Sequence, residues 1–228
     1  MDGRVPVSNS EPHLPHCPTT KTMRFTAFTG ILLLAVASTF ASTVVAQPQP
    51  SRDEGARLMT ELMSGKAQVG TPFTLVNAHG KKISLADFRD KLVLLYFGYT
   101  SCPDVCPTDL LAIGEAVKSL GKAGDQVQPL FITLDPARDT PEVLRGYAPA
   151  FHPRLMALTG GDDEIRRIAT AYKVFYQKVR TERADNYLID HAAYTFLLDR
   201  SGKYVMFFPP GTPPARMAVM LREQLGRK

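Results

Sequence analysis

The chain of 228 residues is long enough for one domain with additional N-terminal material, and its 44% hydrophobic and 21% charged residues can build a sizeable core. This composition excludes a chain that is disordered throughout its length. The net charge of +5 is spread along the sequence, without a basic stripe interleaved with aromatic residues, which excludes a typical nucleic-acid-binding protein.

Residues 1–46 have the composition of an N-terminal leader. Lys21 and Arg24 precede an uncharged segment, residues 25–46, with an apolar centre and small residues near its end. This pattern is typical of a secretory signal peptide, and Met23 is a candidate for the true start of translation. The segment is also long enough to cross a bilayer as a retained anchor. Both alternatives place the rest of the chain outside the cytoplasm, in a bacterial periplasm, either soluble or anchored to the inner membrane.

Residues 47–67 are predicted to form a polar linker and a short helix over 53–63. Met59 and Met63 lie four residues apart, which places them on one face of that helix. Thioethers can bind Cu(I), but methionine more commonly fills gaps between apolar groups. The pattern alone leaves both uses open.

Residues 68–228 alternate between strand and helix patterns and are predicted to form one domain. The predicted strands and extended segments are 73–76, 82–84, 92–97, 128–134, 155–158, 174–179, 193–198 and 204–208. The predicted helices are 108–120, 141–151, 162–172 and 214–225. The first two strands and the last two strands are predicted hairpins. Between these two hairpins, the strand at 92–97, the helix at 108–120 and the strand at 128–134 follow one another. This succession implies that the two strands form a parallel pair.

Two cysteines, Cys102 and Cys106, lie where the apolar strand at 92–97 turns into a helix. Pro107 suits the first helical position, which places Cys106 at or near the N-cap and Asp109 in the first turn. A thiol at a helix N-terminus has a depressed pKa, so the sequence predicts that Cys106 is partly thiolate near neutral pH. Thiolate binds soft metals or attacks a disulfide, and this placement favours such chemistry over two structural cysteines.

His191 stands immediately before the predicted C-terminal hairpin. A lone histidine at the start of a strand is more often structural than functional. A sheet with the cysteine loop at the carboxyl end of a strand places chemistry along that edge, and in thioredoxin-like folds the loop before the late hairpin faces the cysteine loop. Two thiolates and one imidazole suit copper, and they suit zinc with a vacant position nearly as well.

Three motifs in order resemble the Sco/SenC family of copper-binding, thioredoxin-like proteins, which assist cytochrome c oxidase assembly. The motifs are YFGYTSCPDVCP at 96–107, FITLDP at 131–136 with RDTP at 138–141, and Asp190 followed by His191. The resemblance covers roughly residues 68–208. It departs from the family at Asp90, where a glycine is usual, and at Ala192, where serine or threonine is frequent.

The resemblance implies an α/β, thioredoxin-like fold with a central mixed sheet flanked by helices and an N-terminal hairpin extension. It implies that Cys102, Cys106 and His191 bind copper, as Cu(I) or Cu(II), and that Asp135 belongs to a supporting loop. The implied function is a metallochaperone for the binuclear copper site of cytochrome c oxidase. The implied partners are the copper-site subunit of the oxidase and possible further copper chaperones or thioredoxin-like reductants.

Two other functions compete with copper handling. An extracytoplasmic thiol-disulfide oxidoreductase would use Cys102 and Cys106 as a redox pair. Its usual signature is C-x-x-C, whereas the spacing here is wider, and His191 has no obvious role in simple disulfide exchange. A peroxidase of the peroxiredoxin type has threonine or serine three residues before its reactive cysteine. Tyr99 occupies that position here, which disfavours a peroxidase.

Overall fold

The computed structural model describes residues 52–64, 68–180 and 187–227. The predicted leader at residues 1–46 lies outside them. No helix within the described residues is both long enough and apolar enough to span a bilayer.

The described residues form two sheets and five helices. The strands are β1 (Thr74–Asn77), β2 (Lys82–Ser84), β3 (Leu92–Gly98), β4 (Val127–Thr133), β5 (Met156–Thr159), β6 (Tyr176–Arg180), β7 (Tyr187–His191), β8 (Thr195–Leu198) and β9 (Tyr204–Phe208). The helices are α1 (Arg52–Met63), α2 (Val105–Lys118), α3 (Pro141–Tyr147), α4 (Asp162–Ala171) and α5 (Pro214–Gly226). Short 3-10 turns join several of these elements.

The main sheet has seven strands in the order β2-β1-β5-β4-β3-β8-β9. Its centre is the parallel pair of β3 and β4, and every residue of both strands is buried, as expected for strands covered on both faces. β8 pairs antiparallel with β3, and β1 with β2 and β8 with β9 form antiparallel hairpins. The predicted thioredoxin-like fold, with its mixed sheet, parallel central pair and N-terminal hairpin, is confirmed.

The second sheet was not predicted as a sheet. β6 corresponds to the predicted extended segment, but it pairs antiparallel with β7, and Tyr176 lies opposite His191. His191 is therefore the last residue of a strand, whereas the sequence predicted a loop position before the C-terminal hairpin. The pattern of β7 was weak because only Ile189 is buried in it, so its sequence lacks an alternating apolar signal.

The loops that follow β3 and β4 leave the main sheet at the same edge, because Gly98 and Thr133 are paired at the ends of these parallel strands. Buried Asp139 joins the two loops. Its carboxylate accepts hydrogen bonds from the backbone N–H of Thr100 at 3.0 Å, from the Thr100 hydroxyl at 2.6 Å and from the hydroxyl of Thr133. This bridge fixes the start of the cysteine loop against the neighbouring strand.

Asp90, the residue that departs from the family pattern, has a φ of 71°, in the left-handed region that favours glycine. Its side chain is exposed, and its backbone N–H donates to the Arg200 carbonyl at 3.0 Å. We expect Asp90→Gly to raise the free energy of unfolding by up to about 1 kcal/mol, since relief of the strain outweighs the added entropy of the unfolded chain. Urea denaturation measures this change. Asp90→Ala, which keeps the strain, should lower the stability, and a loss of stability in the glycine variant would contradict the expectation.

Candidate metal centre

The two candidate cysteines are both free thiols. α2 begins at Val105, so Cys106 is the second helical residue and Pro107 is the third. The sequence predicted Pro107 at the first helical position. Pro107 is still within the first turn, where its missing N–H breaks no helical hydrogen bond. Cys106 is completely buried, whereas Cys102 is partly accessible.

The prediction of a depressed pKa for Cys106 is wrong. Burial, with a smaller contribution from the neighbouring Cys102 thiol, raises the pKa of the Cys106 thiol to about 12. The cost of burying a thiolate therefore outweighs the favourable end of the helix. Asp109 is also buried rather than a solvated first-turn charge. Burial raises its pKa, and its Oδ1 accepts a hydrogen bond from the Gly211 N–H at 2.8 Å.

Gly98, at the end of β3, lets the Cys106 sulfur pack directly against the strand. A Cβ atom at this position would lie 2.9 Å from Cys106 Sγ and 2.9 Å from a ring carbon of Tyr96. Both separations are too short for any side chain other than hydrogen. The absence of a side chain at Gly98 is therefore a condition for the observed position of Cys106.

His191 lies against Cys106, with 3.4 Å between the imidazole Nε2 and Cys106 Sγ. Its ring makes edge contacts with the rings of Tyr96 and Tyr99, whose centroids lie 6.4 Å and 6.1 Å away. Burial lowers the pKa of His191, so the imidazole is neutral at neutral pH. A neutral thiol thus faces a neutral imidazole, an arrangement that buries no net charge.

Cys102 lies beside this pair. Its backbone N–H donates to the Tyr99 carbonyl at 3.2 Å, and its thiol is close enough to Cys106 to influence the pKa of that group. Across residues 52–64, 68–180 and 187–227, the His, Cys, Asp and Glu side chains form no preassembled cluster of three or more that could hold a metal ion. The structure thus brings Cys106 and His191 into contact and leaves Cys102 next to them.

A polar network near the site includes Tyr187, which the sequence reasoning missed, and Arg138, which it quoted in the RDTP motif without giving it a role in the site. The buried Asp135 carboxylate forms an ion pair with Arg138 and accepts a hydrogen bond from the Tyr187 hydroxyl at 2.7 Å. Lys178 Nζ lies 4.0 Å from the same carboxylate. The only sequence signal for Tyr187 is its spacing, four residues before His191, which places both on one face of β7.

The methionine pair lies on α1. Met63 is 77% exposed, so it is not a gap-filling core contact, and Met59 is partly buried. The buried residue of this turn is Leu62, whose carbonyl accepts a hydrogen bond from the Tyr204 hydroxyl at 3.1 Å. That bond ties α1 to β9.

The mixed sheet has the thioredoxin-like arrangement, and a buried thiol in the first turn of the helix after its central strand faces a histidine from the neighbouring two-stranded sheet. The protein is therefore a thioredoxin-like protein with a Cys–His contact. A model of the SCO1/SenC family matches residues 61–226, and the chain belongs to this family.

Relatives and solved structures agree with this assignment. An SCO2-like protein of Rickettsia prowazekii is 43% identical over 144 residues, which cover 63% of this chain and 70% of the relative. The structure of Bradyrhizobium japonicum ScoI with copper bound has a TM-score of 0.64 and 39% identity, and the match covers 68% of this chain and 99% of that one. Yeast Sco1 with copper bound has a TM-score of 0.65 and 32% identity, covering 71% and 91%.

Proposed function

We propose that this protein is a copper-binding metallochaperone that assists maturation of the binuclear copper site of cytochrome c oxidase, with Cys102, Cys106 and His191 as its copper ligands. Its membership of the SCO1/SenC family and the copper in the structures of two relatives support the proposal. The observation that carries it is the 3.4 Å separation of Cys106 Sγ and His191 Nε2, two atoms 85 residues apart in the sequence.

The ligand chemistry suits both oxidation states of copper. Thiolates are soft ligands that favour Cu(I), and an imidazole nitrogen is the ligand that Cu(II) adds. The neutral His191 has a free lone pair to offer, because burial lowers its pKa. A bound metal deprotonates a coordinating thiol outright, so the proton of Cys106 leaves when copper arrives. Cys102 then needs only a local movement of its partly exposed turn to join the site.

The alternative, a thiol-disulfide oxidoreductase, has less support from this geometry. Disulfide exchange begins with attack by a thiolate. Cys106 has a pKa of about 12, so it is almost entirely a thiol at neutral pH, and it is also completely buried. Any attack on an external disulfide would have to begin at Cys102.

Anaerobic titration of the reduced protein with copper, followed by absorption and electron paramagnetic resonance spectroscopy, tests the proposal. We expect one copper ion per chain, a thiolate-to-Cu(II) absorption band and a signal from one imidazole nitrogen. Cys102→Ser and Cys106→Ser should each lose the thiolate band or weaken it strongly. Wild-type copper binding in the doubly substituted protein would refute the site.

Copper affinity should rise with pH. Because the Cys106 thiol has a pKa of about 12 without metal, a proton competes with copper at this sulfur throughout the range from pH 6 to 9. We expect the affinity to increase by about tenfold per pH unit from this proton alone. His191 adds to the slope only at acidic pH, because its pKa lies below the ordinary value. Competition with a chelator of known pH dependence measures the slope. Cys106→Ser should reduce the slope by about one unit, and a flat profile would contradict the assignment.

We further propose that residues 68–228 are the copper-binding domain and act outside the cytoplasm, held at the membrane by the leader if it is not cleaved. Candidate partners are the copper-site subunit of the oxidase and, before it, a further copper chaperone or thioredoxin-like reductant. We expect a reporter that requires export to be active when fused after Ala46. A fusion that is active only in the cytoplasm would exclude this location.

A further inference from the structure

His191 is carried by a hairpin that forms a sheet of its own. Among the residues that the structure describes, β6 and β7 pair only with each other, outside the seven-stranded sheet. An isolated two-stranded hairpin is marginally stable in water, so its position depends on what its side chains contact. The side chains that fix the hairpin therefore decide where the imidazole lies.

The two faces of this hairpin differ in exposure. Tyr187, Ile189 and His191 alternate along β7 and share one face. Ile189 is only 4% exposed, so this face lies against the body of the protein. The opposite face carries Leu188 and its cross-strand partner Val179, which are 38% and 43% exposed. Three inward residues of β7 therefore supply its anchoring contacts, with Tyr187 at one end and His191 at the other.

Tyr187 makes three contacts with Asp135 and Arg138. Its hydroxyl donates to Asp135 Oδ1 at 2.7 Å, and its carbonyl oxygen accepts a hydrogen bond from Arg138 Nη1 at 3.0 Å. The guanidinium carbon of Arg138 lies 3.7 Å from the centroid of the Tyr187 ring, a close cation–π contact. Asp135 is itself buried and paired with Arg138, so the hydroxyl meets a fixed, charged acceptor, which makes a strong hydrogen bond.

We propose that Tyr187 is a positioning residue for His191. The latch formed by Tyr187, Asp135 and Arg138 clamps the start of β7 to the loop after β4, and the strand transmits that position to the imidazole about 13 Å away. The imidazole of His191 contacts a sulfur at 3.4 Å and makes edge-type contacts with two tyrosine rings. The consequence for copper rests on the proposed function. Cu(II) needs the histidine more than Cu(I) does, so Cu(II) binding depends more strongly on the latch.

Hydrogen exchange in the copper-free protein tests the latch without any metal. In Tyr187→Phe, which removes the hydroxyl and keeps the ring, we expect the backbone amides of Leu188 and Asp190, which the pairing register places in the hydrogen-bonded ladder with β6, to exchange about tenfold faster. Amides of β3 and β4 should be unchanged. Tyr204→Phe is the matched control, because it removes a hydroxyl that donates to the Leu62 carbonyl on α1. This control should leave the exchange of β7 as in the wild type.

Copper titration tests the consequence for the site. We expect Cu(II) affinity to fall by about tenfold in Tyr187→Phe and by about a hundredfold in Tyr187→Ala, with Cu(I) affinity changed by less than about threefold. Leu188→Ala, on the exposed face of the same strand, should change neither affinity. If Tyr187 acts through His191, adding Tyr187→Phe to His191→Ala should have no further effect.

Wild-type amide exchange in Tyr187→Phe would overturn the latch, and this variant decides the matter even if Tyr187→Ala fails to fold. A further loss of Cu(II) affinity on combining Tyr187→Phe with His191→Ala would also overturn it, because Tyr187 would then act on another part of the site. Wild-type Cu(II) binding by His191→Ala refutes the proposed ligand instead. In that case the position of His191 is judged by exchange alone, and faster exchange in Tyr187→Phe still supports the latch.

Discussion

Oxidation of Cys102 and Cys106 to an intramolecular disulfide is expected to abolish tight copper binding, with a fall in affinity of at least about a thousandfold. The thiolates are the soft ligands of the proposed site, and a disulfide offers none. After oxidation only the imidazole of His191 remains, and a single nitrogen does not hold copper tightly. The two cysteines are separated by three residues, a spacing that permits a bridge when their Cα atoms lie about 4.4–6.8 Å apart.

The measurement compares copper uptake by reduced and oxidised protein, with the bridge verified by mass. Cys17 is changed to serine in every sample, so that only the two site cysteines can pair. Reduction should restore binding completely. Cys102→Ser is the matched control: it cannot form the internal bridge, and the same oxidant should leave its weaker binding unchanged. Undiminished uptake by the fully bridged protein would exclude a dithiolate site.

This behaviour would couple copper occupancy to the redox state of the surroundings. In the structure both thiols are free, and Cys106 is a buried thiol with a raised pKa, so it is a poor attacking group at neutral pH. Cys102 is the more accessible sulfur. An external oxidant or reductant is therefore expected to react first at the Cys102 sulfur. In oxidation the buried Cys106 sulfur then forms the disulfide with Cys102, and in reduction it leaves as the thiol.

The central part of the fold was predictable because its signals are local. The apolar runs at β3 and β4 are long, they flank one helix, and both strands are completely buried as such runs predict. The motif spacing placed Cys102 and Cys106 in the turn after β3. The family resemblance implied that Asp135 belongs to a supporting loop, and the parallel register of β3 and β4, which end at one edge, accounts for the position of that loop next to the turn.

The details of the site depended on contacts that are distant in the sequence. The raised pKa of Cys106 comes from burial, which the helix-terminus rule does not consider. β7 escaped prediction because its strand pairing and its one buried residue depend on the rest of the fold. The contacts of Tyr187 with Asp135 and Arg138, about fifty residues earlier, support its proposed role, and a single tyrosine in a polar segment gives no pattern from which they could be inferred.

Replacing His191 with alanine should separate copper handling from simple thiol exchange. If the cysteines only exchange disulfides, the loss of an imidazole should change their reactivity modestly, through the local field at Cys106. If His191 is a ligand, the effect should depend on the oxidation state of copper. Cu(I) can still bind between two thiolates, so we expect its affinity to fall by only about tenfold.

Cu(II) should respond differently, because it prefers nitrogen ligands and a higher coordination number. We expect His191→Ala to lose the coloured thiolate–Cu(II) species, or to form it only transiently. Cells that carry this variant should also fail to assemble active oxidase, although both cysteines remain. Absorption and electron paramagnetic resonance spectra measure the first effect, and oxidase activity in a strain that lacks the wild-type protein measures the second.

His79→Ala is the matched control for this experiment. It also removes one imidazole, but from an exposed position on the turn between β1 and β2, and it should leave both the spectra and oxidase assembly unchanged. Circular dichroism and the free energy of unfolding establish that both variants fold. A folded His191→Ala protein that keeps the Cu(II) spectrum and supports oxidase assembly would show that the imidazole beside Cys106 is a structural contact and that copper, if bound, is held by other groups.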